Sequence, residues 1–259
     1  MLPASIGSRL SKDDGTELLT REEQTVYRKG VGKLIHLTKM SRPETKNRLR
    51  ELSRFMSQAT QGHMAALKQL MLHYLKTPER GWFIKPNAKW DGKDKSFEFV
   101  IHGMSDAEYA GDRDEFRSVS GATTFLCGAP IAVRSKMQNI VTLSVTEAEF
   151  VAAVGCAQDM LFAMRVLEDM ELKVQKPMVL YVDNKGAVDL ANNWSSAGRT
   201  RHVANRVAFL RELKEEGTLV LNWISNKNMC SDILTKNVGL KDFNKHAAVY
   251  VGDDKSMSE

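Results

Sequence analysis

The chain has 259 residues, 42% of them hydrophobic and 27% charged, with a formal net charge of +5. A chain of that make-up buries a core, so wholesale disorder is excluded; the mild positive excess suits a polyanionic partner without requiring one. Cys127, Cys156 and Cys230 are scattered and form neither a zinc-type pair nor a disulfide framework, which favours reduced thiols and an intracellular protein, cytoplasmic or nuclear. The first residues carry no basic-then-apolar signal pattern, and no apolar run is expected to cross a bilayer.

Residues 1–19 are polar and read as a flexible leader. Helical spacing begins with Tyr27, Val31, Leu34 and Ile35, breaks at Pro43, and resumes with Leu49, Leu52, Phe55 and Met56. A third helix is expected from Thr60 as N-cap, through Leu67, Leu70, Met71, Tyr74 and Leu75, to the stop at Thr77 and Pro78. Residues 20–95 thus form a small helical region, closed by the polar stretch 86–96 and its Asp91-Gly92 turn signal.

The period then changes. Phe97, Phe99 and Ile101 alternate with Glu98, Val100 and His102, as in a strand. Two more strands are expected over 121–127 and 131–136, a long helix over 144–170, a strand over 178–182, helices over 186–192 and 203–216, a strand over 219–223, and a last helical turn near Ser231. Three meandering strands followed by crossovers predict an α/β domain over 96–245, a mixed five-stranded sheet flanked by helices; residues 246–259 read as a tail.

Four acids fall at special places in this pattern. Asp106 ends the first strand, Glu149 lies in the first turns of the long helix, Asp183 follows the fourth strand, and Asp232 opens the last helical turn. Sites in open α/β sheets form at the carboxyl ends of strands where neighbouring connections diverge, which brings Asp106 and Asp183 together. Carboxylates gathered so densely repel one another unless a cation binds them, and hard oxygen donors suit Mg²⁺ or Mn²⁺. Two such ions can clamp the attacking water and the leaving oxygen of a phosphodiester. Glu147 is also a helix-start acid and competes with Glu149, and Asp232 would serve equally as a helix cap.

These stretches resemble the ribonuclease H domain of copia-type retrotransposon polyproteins. The likeness is carried by Ser105-Asp-Ala-Glu-Tyr-Ala-Gly-Asp112, Arg117-Ser-Val-Ser-Gly121, residues 144–150, Val182-Asp-Asn-Lys-Gly-Ala187, Arg199-Thr-Arg-His202 and Ser231-Asp-Ile-Leu-Thr-Lys236. The resemblance implies a ribonuclease H-like fold and an endonuclease that cuts the RNA strand of RNA–DNA hybrids. It also implies two Mg²⁺ ions, with Mn²⁺ as substitute, on Asp106, Glu149, Asp183 and Asp232, and it selects Glu149 over Glu147. Residues 20–95 are similar to the thumb- or connection-like stretch after the polymerase palm in the same polyproteins, through residues 27–34, Arg42, Pro43, residues 52–56, His63 and residues 74–77. A reverse transcriptase palm in a longer polyprotein is therefore an expected partner. Tyr109 replaces the family's usual Trp, and the stretch after His202 lacks its usual Asp and second His.

Arg134 and Lys136, with Arg199, Arg201 and His202, are the candidate phosphate contacts to a hybrid. Trp223, Met160 and Met164 read as core. Residues 180–184, Leu-Tyr-Val-Asp-Asn, superficially resemble a polymerase hairpin but lead into a helix, and the Gly-Asp-Asp stretch ending at Asp254 reads as a solvated end. An integrase-type order would place the glutamate after the second aspartate, whereas Glu149 precedes Asp183. The non-enzymatic alternative is an inactive transposon remnant that binds nucleic acid without cutting.

Overall fold

A computed structural model describes residues 1–192 and 204–252. Its helices are α1 (Arg21–Met40), α2 (Lys46–Ser53), α3 (Gln61–Lys76), α4 (Val145–Asp169), α5 (Lys185–Asn192), α6 (Ala204–Glu215) and α7 (Leu240–Ala247). The strands are β1 (Gly81–Trp82), β2 (Glu98–Phe99), β3 (Ile101–Glu108), β4 (Val119–Leu126), β5 (Ala129–Met137), β6 (Lys173–Val174), β7 (Met178–Val182), β8 (Leu219–Trp223) and β9 (Val251–Gly252). Short 3₁₀ turns cover Pro43–Thr45, Asn226–Asn228 and Cys230–Leu234.

The expected mixed sheet is present, in the order β5-β4-β3-β7-β8. β3, β4 and β5 pair antiparallel as a meander, whereas β7 joins β3, and β8 joins β7, in parallel. This arrangement is the ribonuclease H-like fold expected from the motifs. Ser105 pairs with Val182, so Asp183, just past β7, comes beside Asp106, which is still within β3 and two residues short of its end.

α4 covers one face of the sheet. Phe150, Cys156 and Met160 pack against Ile101, Leu180 and Val182, with Met164 at the margin of the same core. By length and hydropathy α4 could also cross a bilayer, against the sequence expectation; here half of it is buried on the sheet, as a core helix is. The opposite face carries a second core of Phe125, Val133, Ile233, Leu234, Phe243 and Tyr250. A third core holds α1, α2 and α3 together through Tyr27, Val31, Leu52, Leu67 and Leu70. Ile35, Met71 and Leu75, expected on that core stripe, face solvent, because three helices bury a narrower face than their apolar pattern offers. Thr60 does cap α3, accepting from the His63 amide.

Several local expectations are corrected. Residues 98–99 do not continue β3: β2 pairs with β6 in a separate parallel ribbon. The turn near Ser231 is 3₁₀ rather than α, and the true last helix, α7, lies beyond it. Residues 1–19 are no loose leader: Ala4 is buried, Gly7 donates to the Asn237 carbonyl at 2.8 Å, and Leu18 bridges Thr60. Tyr250, assigned to the tail, is fully buried, and its hydroxyl lies 2.8 Å from that of Thr123; Val251 pairs with Trp82. Short segments of this kind have no hydrophobic period to reveal them, and tertiary packing decides their place.

The helical region is tied directly to the sheet. Lys46 Nζ donates to the Val133 carbonyl at 2.5 Å, Asn47 bonds Asn237 at 3.1 Å, and Arg54 pairs with Asp112 and Asp114 in the β3–β4 connection.

Candidate metal centre

Asp106 lies on β3 and is 2% exposed. Its Oδ2 accepts a hydrogen bond from the Thr235 hydroxyl. Glu149 projects from the second turn of α4 and is 3% exposed. Ser144 caps this helix by accepting from the Glu147 amide at 3.1 Å, while the Glu147 carboxylate accepts from the Leu143 amide at 2.6 Å. The two helix-start acids are thereby separated: Glu147 serves the cap, and Glu149, half a turn on, faces the sheet. Asp183 follows β7.

One oxygen from each of Asp106, Glu149 and Asp183 lies within 4.8 Å of the others. Glu149 Oε2 is buried and has no hydrogen-bond partner among the described residues. Burial, and then the charges of Asp106 and Asp183, push the Glu149 carboxyl up to about 9. Burial and Asp106 likewise raise Asp183. A carboxylate lone pair aimed into a knot of like charge is the expected signature of a place for a cation, and three hard oxygens fit a divalent ion such as Mg²⁺.

Asp232 stands outside that trio, on the 3₁₀ turn, and addresses Asp106 from another side. Burial and the Asp106 charge push it up to about 7. Between them lies the ammonium of Lys236, 3.1 Å from Asp232 Oδ1 and 3.8 Å from Asp106 Oδ2. Burial alone would lower the Lys236 pKa, but the charges of Asp106 and Asp232 outweigh it and hold it raised. The turn comes this close because β4 has a glycine opposite Asp106. A Cβ on Gly121 would sit 2.8 Å from the Ser231 carbonyl oxygen and 2.8 Å from Thr235 Cγ2. Thr235, Lys236 and Gly121 all fell within stretches that carried the family resemblance, but their spacing alone gave them no role.

Trp223 was expected in the core and is 47% exposed. Leu219 and Leu221 are covered, but β8 outlasts its cover at the carboxyl end. The Trp223 indole N–H donates to the Asp183 carbonyl at 3.0 Å, and Lys185 Nζ lies 4.7 Å from the ring centroid. It therefore steadies the backbone that carries Asp183. Arg134 and Lys136 are exposed on β5, two strands from Asp106, beside a groove of about 200 Å³ that Gln138, Asn139 and Gln158 also line. Arg134 pairs with Asp159 of α4. Arg199, Arg201 and His202 lie outside the described residues.

The sequence is 31% identical over 246 residues to the retrovirus-related Pol polyprotein from transposon RE1 of Arabidopsis thaliana, an alignment covering 95% of this chain. The corresponding polyprotein from transposon TNT 1-94 of Nicotiana tabacum is 31% identical over 84% of the chain. The relatives of this chain over nearly its whole length are thus retrovirus-related Pol polyproteins of transposons. The chain spans 16% of the length of these two Pol polyproteins. Half of it, 51%, is also 33% identical to secreted RxLR effector protein 161 of Plasmopara viticola, over 87% of that protein. No family model matches the sequence. Among solved structures, a ribonuclease H1 isolated from compost, LC11-RNase H1, is similar over 56% of this chain and 96% of its own, at 18% identity and a TM-score of 0.41. The fold of this chain rests on its own strand order and pairing.

Proposed function

We propose that the chain is a ribonuclease H-type endonuclease that hydrolyses the RNA strand of an RNA–DNA hybrid, with divalent ions held by Asp106, Glu149, Asp183 and Asp232. The observation that supports this reading most is the convergence of three carboxylates from β3, α4 and the end of β7, one with a buried and unbonded oxygen. Structural acids at caps and turns are satisfied by nearby backbone amides, as Glu147 is by Leu143; Glu149 has the Ala107 amide, yet burial and the charges of Asp106 and Asp183 still hold its carboxyl up at about 9. Bound Mg²⁺ or Mn²⁺ would supply Lewis acidity and a nucleophilic water for phosphodiester hydrolysis.

The protein's own groups would do the remaining work. Thr235 fixes the rotamer of Asp106, and the Trp223 indole fixes the main chain at Asp183, so neither carboxylate has to reorganise as substrate arrives. Arg134 and Lys136 on β5, together with Arg199, Arg201 and His202, would contact phosphates of the hybrid, whose backbone shape and 2′-hydroxyls carry recognition. The same phosphates would draw on the positive net charge of +5.

The test is cleavage of an end-labelled RNA–DNA hybrid, RNA–RNA duplex and DNA duplex, with Mg²⁺ or with chelator. Wild type should cut only the RNA of the hybrid and only with the ion, and Asp183→Asn should lose about a thousandfold or more in rate. If wild type binds the hybrid as tightly as the mutant and both leave it intact, the chain is a binding remnant and the nuclease reading is wrong.

A further inference from the structure

Four buried or half-buried carboxylates meet at this site, yet they do not form one symmetric bowl. Asp106, Glu149 and Asp183 converge on one point. Asp106 and Asp232 face a second, and there the ammonium of Lys236 lies between them, 3.8 Å and 3.1 Å from their oxygens. One half of the site is thus open to an ion, and the other half already holds a positive charge.

We propose that Lys236 is a built-in counter-cation for the Asp106–Asp232 half of the site, which a second divalent ion must displace, so that the two ion positions fill with unequal affinity. The inference rests on the divalent-ion reading given above. Three features of the structure support it. The lysine is held by its place in the turn: Asp232, Thr235 and Lys236 are three and four residues apart, so one short segment aims an acid, a hydroxyl and an ammonium at Asp106. The Lys236 side chain is 33% exposed, so its stem can swing outward without crossing the core. A further carboxylate stands on that side, because Glu108, paired with Arg9, lies on the same face of β3 as Asp106. In the ion-free state the ammonium offsets repulsion that would otherwise push Asp232 away from Asp106. It makes Lys236 a positioning residue: it acts on the carboxylates and need not touch substrate.

The inference is tested by calorimetric titration of MnCl₂ into the full chain as wild type, Lys236→Gln and Lys236→Arg, with melting curves in chelator. The first ion should gain less from Lys236→Gln than the second, because the ammonium contacts only Asp106 of its three ligands. The second should bind Lys236→Gln more tightly by about tenfold or more, because a competing charge is gone, and Lys236→Arg should resemble wild type. In chelator Lys236→Gln should melt below wild type, and adding Asp232→Asn to it should recover part of that loss. A lysine acting only through its general charge would raise the affinity of both ions equally, so an equal gain, or unchanged or weaker second-ion binding in a folded Lys236→Gln, overturns the proposal alone. If neither wild type nor Lys236→Gln takes up any ion, the divalent-ion reading falls and takes this proposal with it.

Discussion

Arg54 offers the sharpest test of whether the helical region and the sheet act as one body. It leaves the end of α2 and reaches the β3–β4 connection, where its guanidinium pairs with Asp112 and lies 3.0 Å from Asp114 Oδ2. The Asp112 side chain is fully buried, and its Oδ1 accepts from the amides of Asp114 and Glu115 at 2.9 and 2.8 Å. Its Oδ2 faces Arg54, its one partner among the described residues. Replacing Arg54 by Met keeps the apolar stem but strands a buried charge, and breaking a buried pair from one side costs about 3–5 kcal/mol. For a chain of this size that amounts to a fall of roughly 6–15 °C in melting temperature. The Arg54→Met/Asp112→Asn double variant should recover a large part of the loss, because the stranded charge is gone while Oδ1 still accepts both amides. Urea unfolding followed by both tryptophan fluorescence and far-UV circular dichroism measures the effect. Coincident transitions show that helices and sheet unfold together. A cost below about 0.5 kcal/mol, or a double variant as unstable as the single one, would refute the reasoning.

Two further outcomes follow from the site. In chelator the protein should lose stability as pH rises: Asp232 and Glu149 have folded pKa values of about 7 and about 9, above their ordinary 3.8 and 4.5, so the protonated forms stabilise the fold below about pH 4 and that contribution fades through each folded value in turn. Melting temperature measured from about pH 5 to about pH 9 should therefore fall in chelator and stay nearly level in saturating Mg²⁺; a level profile in chelator contradicts the burial of these groups. Gly121→Ala should cost about 1–3 kcal/mol and abolish binding of the second ion while sparing the first, because the new methyl meets the Ser231 carbonyl, which cannot rotate aside as a side chain would. Gly103→Ala is the control, since its Cβ would meet side chains of Met160 and Cys156 in the core; equal effects of the two on ion binding would show that Gly121 has no special part in the site.

Much of this was legible in the sequence because the relevant signals are topological. A strand that carries Asp106 near its end and a later apolar strand followed by Asp183 become neighbours once the first three strands form a meander and the fourth must pair parallel to the first. Glu149 was harder. Its helix is apolar on nearly every face, so periodicity could not say which acid pointed inward; the resemblance selected Glu149, and the bond between Glu147 and the Leu143 amide supplies the physical reason. Trp223 misled for a related reason: alternation along β8 puts it on the covered face, but covering depends on how far the neighbouring helices extend. The packed first and last segments were illegible altogether. Ala4 is buried and Tyr250 bonds Thr123, 127 residues away, and no periodic pattern marks either.

The segment that carries Asp232 shows why a motif can be recognised before it is understood. In a 3₁₀ turn residues three apart eclipse one another, so Asp232 and Thr235 fall on one side whatever lies between them. The hydroxyl then bonds to Asp106, and the next residue, Lys236, is left beside both acids with its stem toward solvent. Ile233 and Leu234 point the other way, into the core with Phe125 and Phe243, and anchor the turn. Each residue of this stretch thus answers either to the core below or to Asp106 above, and Gly121 sets the distance between turn and strand. An acid at this position could have been an ordinary cap. What distinguishes Asp232 is that its turn does not begin a helix: it ends against a strand, with a hydroxyl and an ammonium aimed at the carboxylate that the whole sheet was arranged to present.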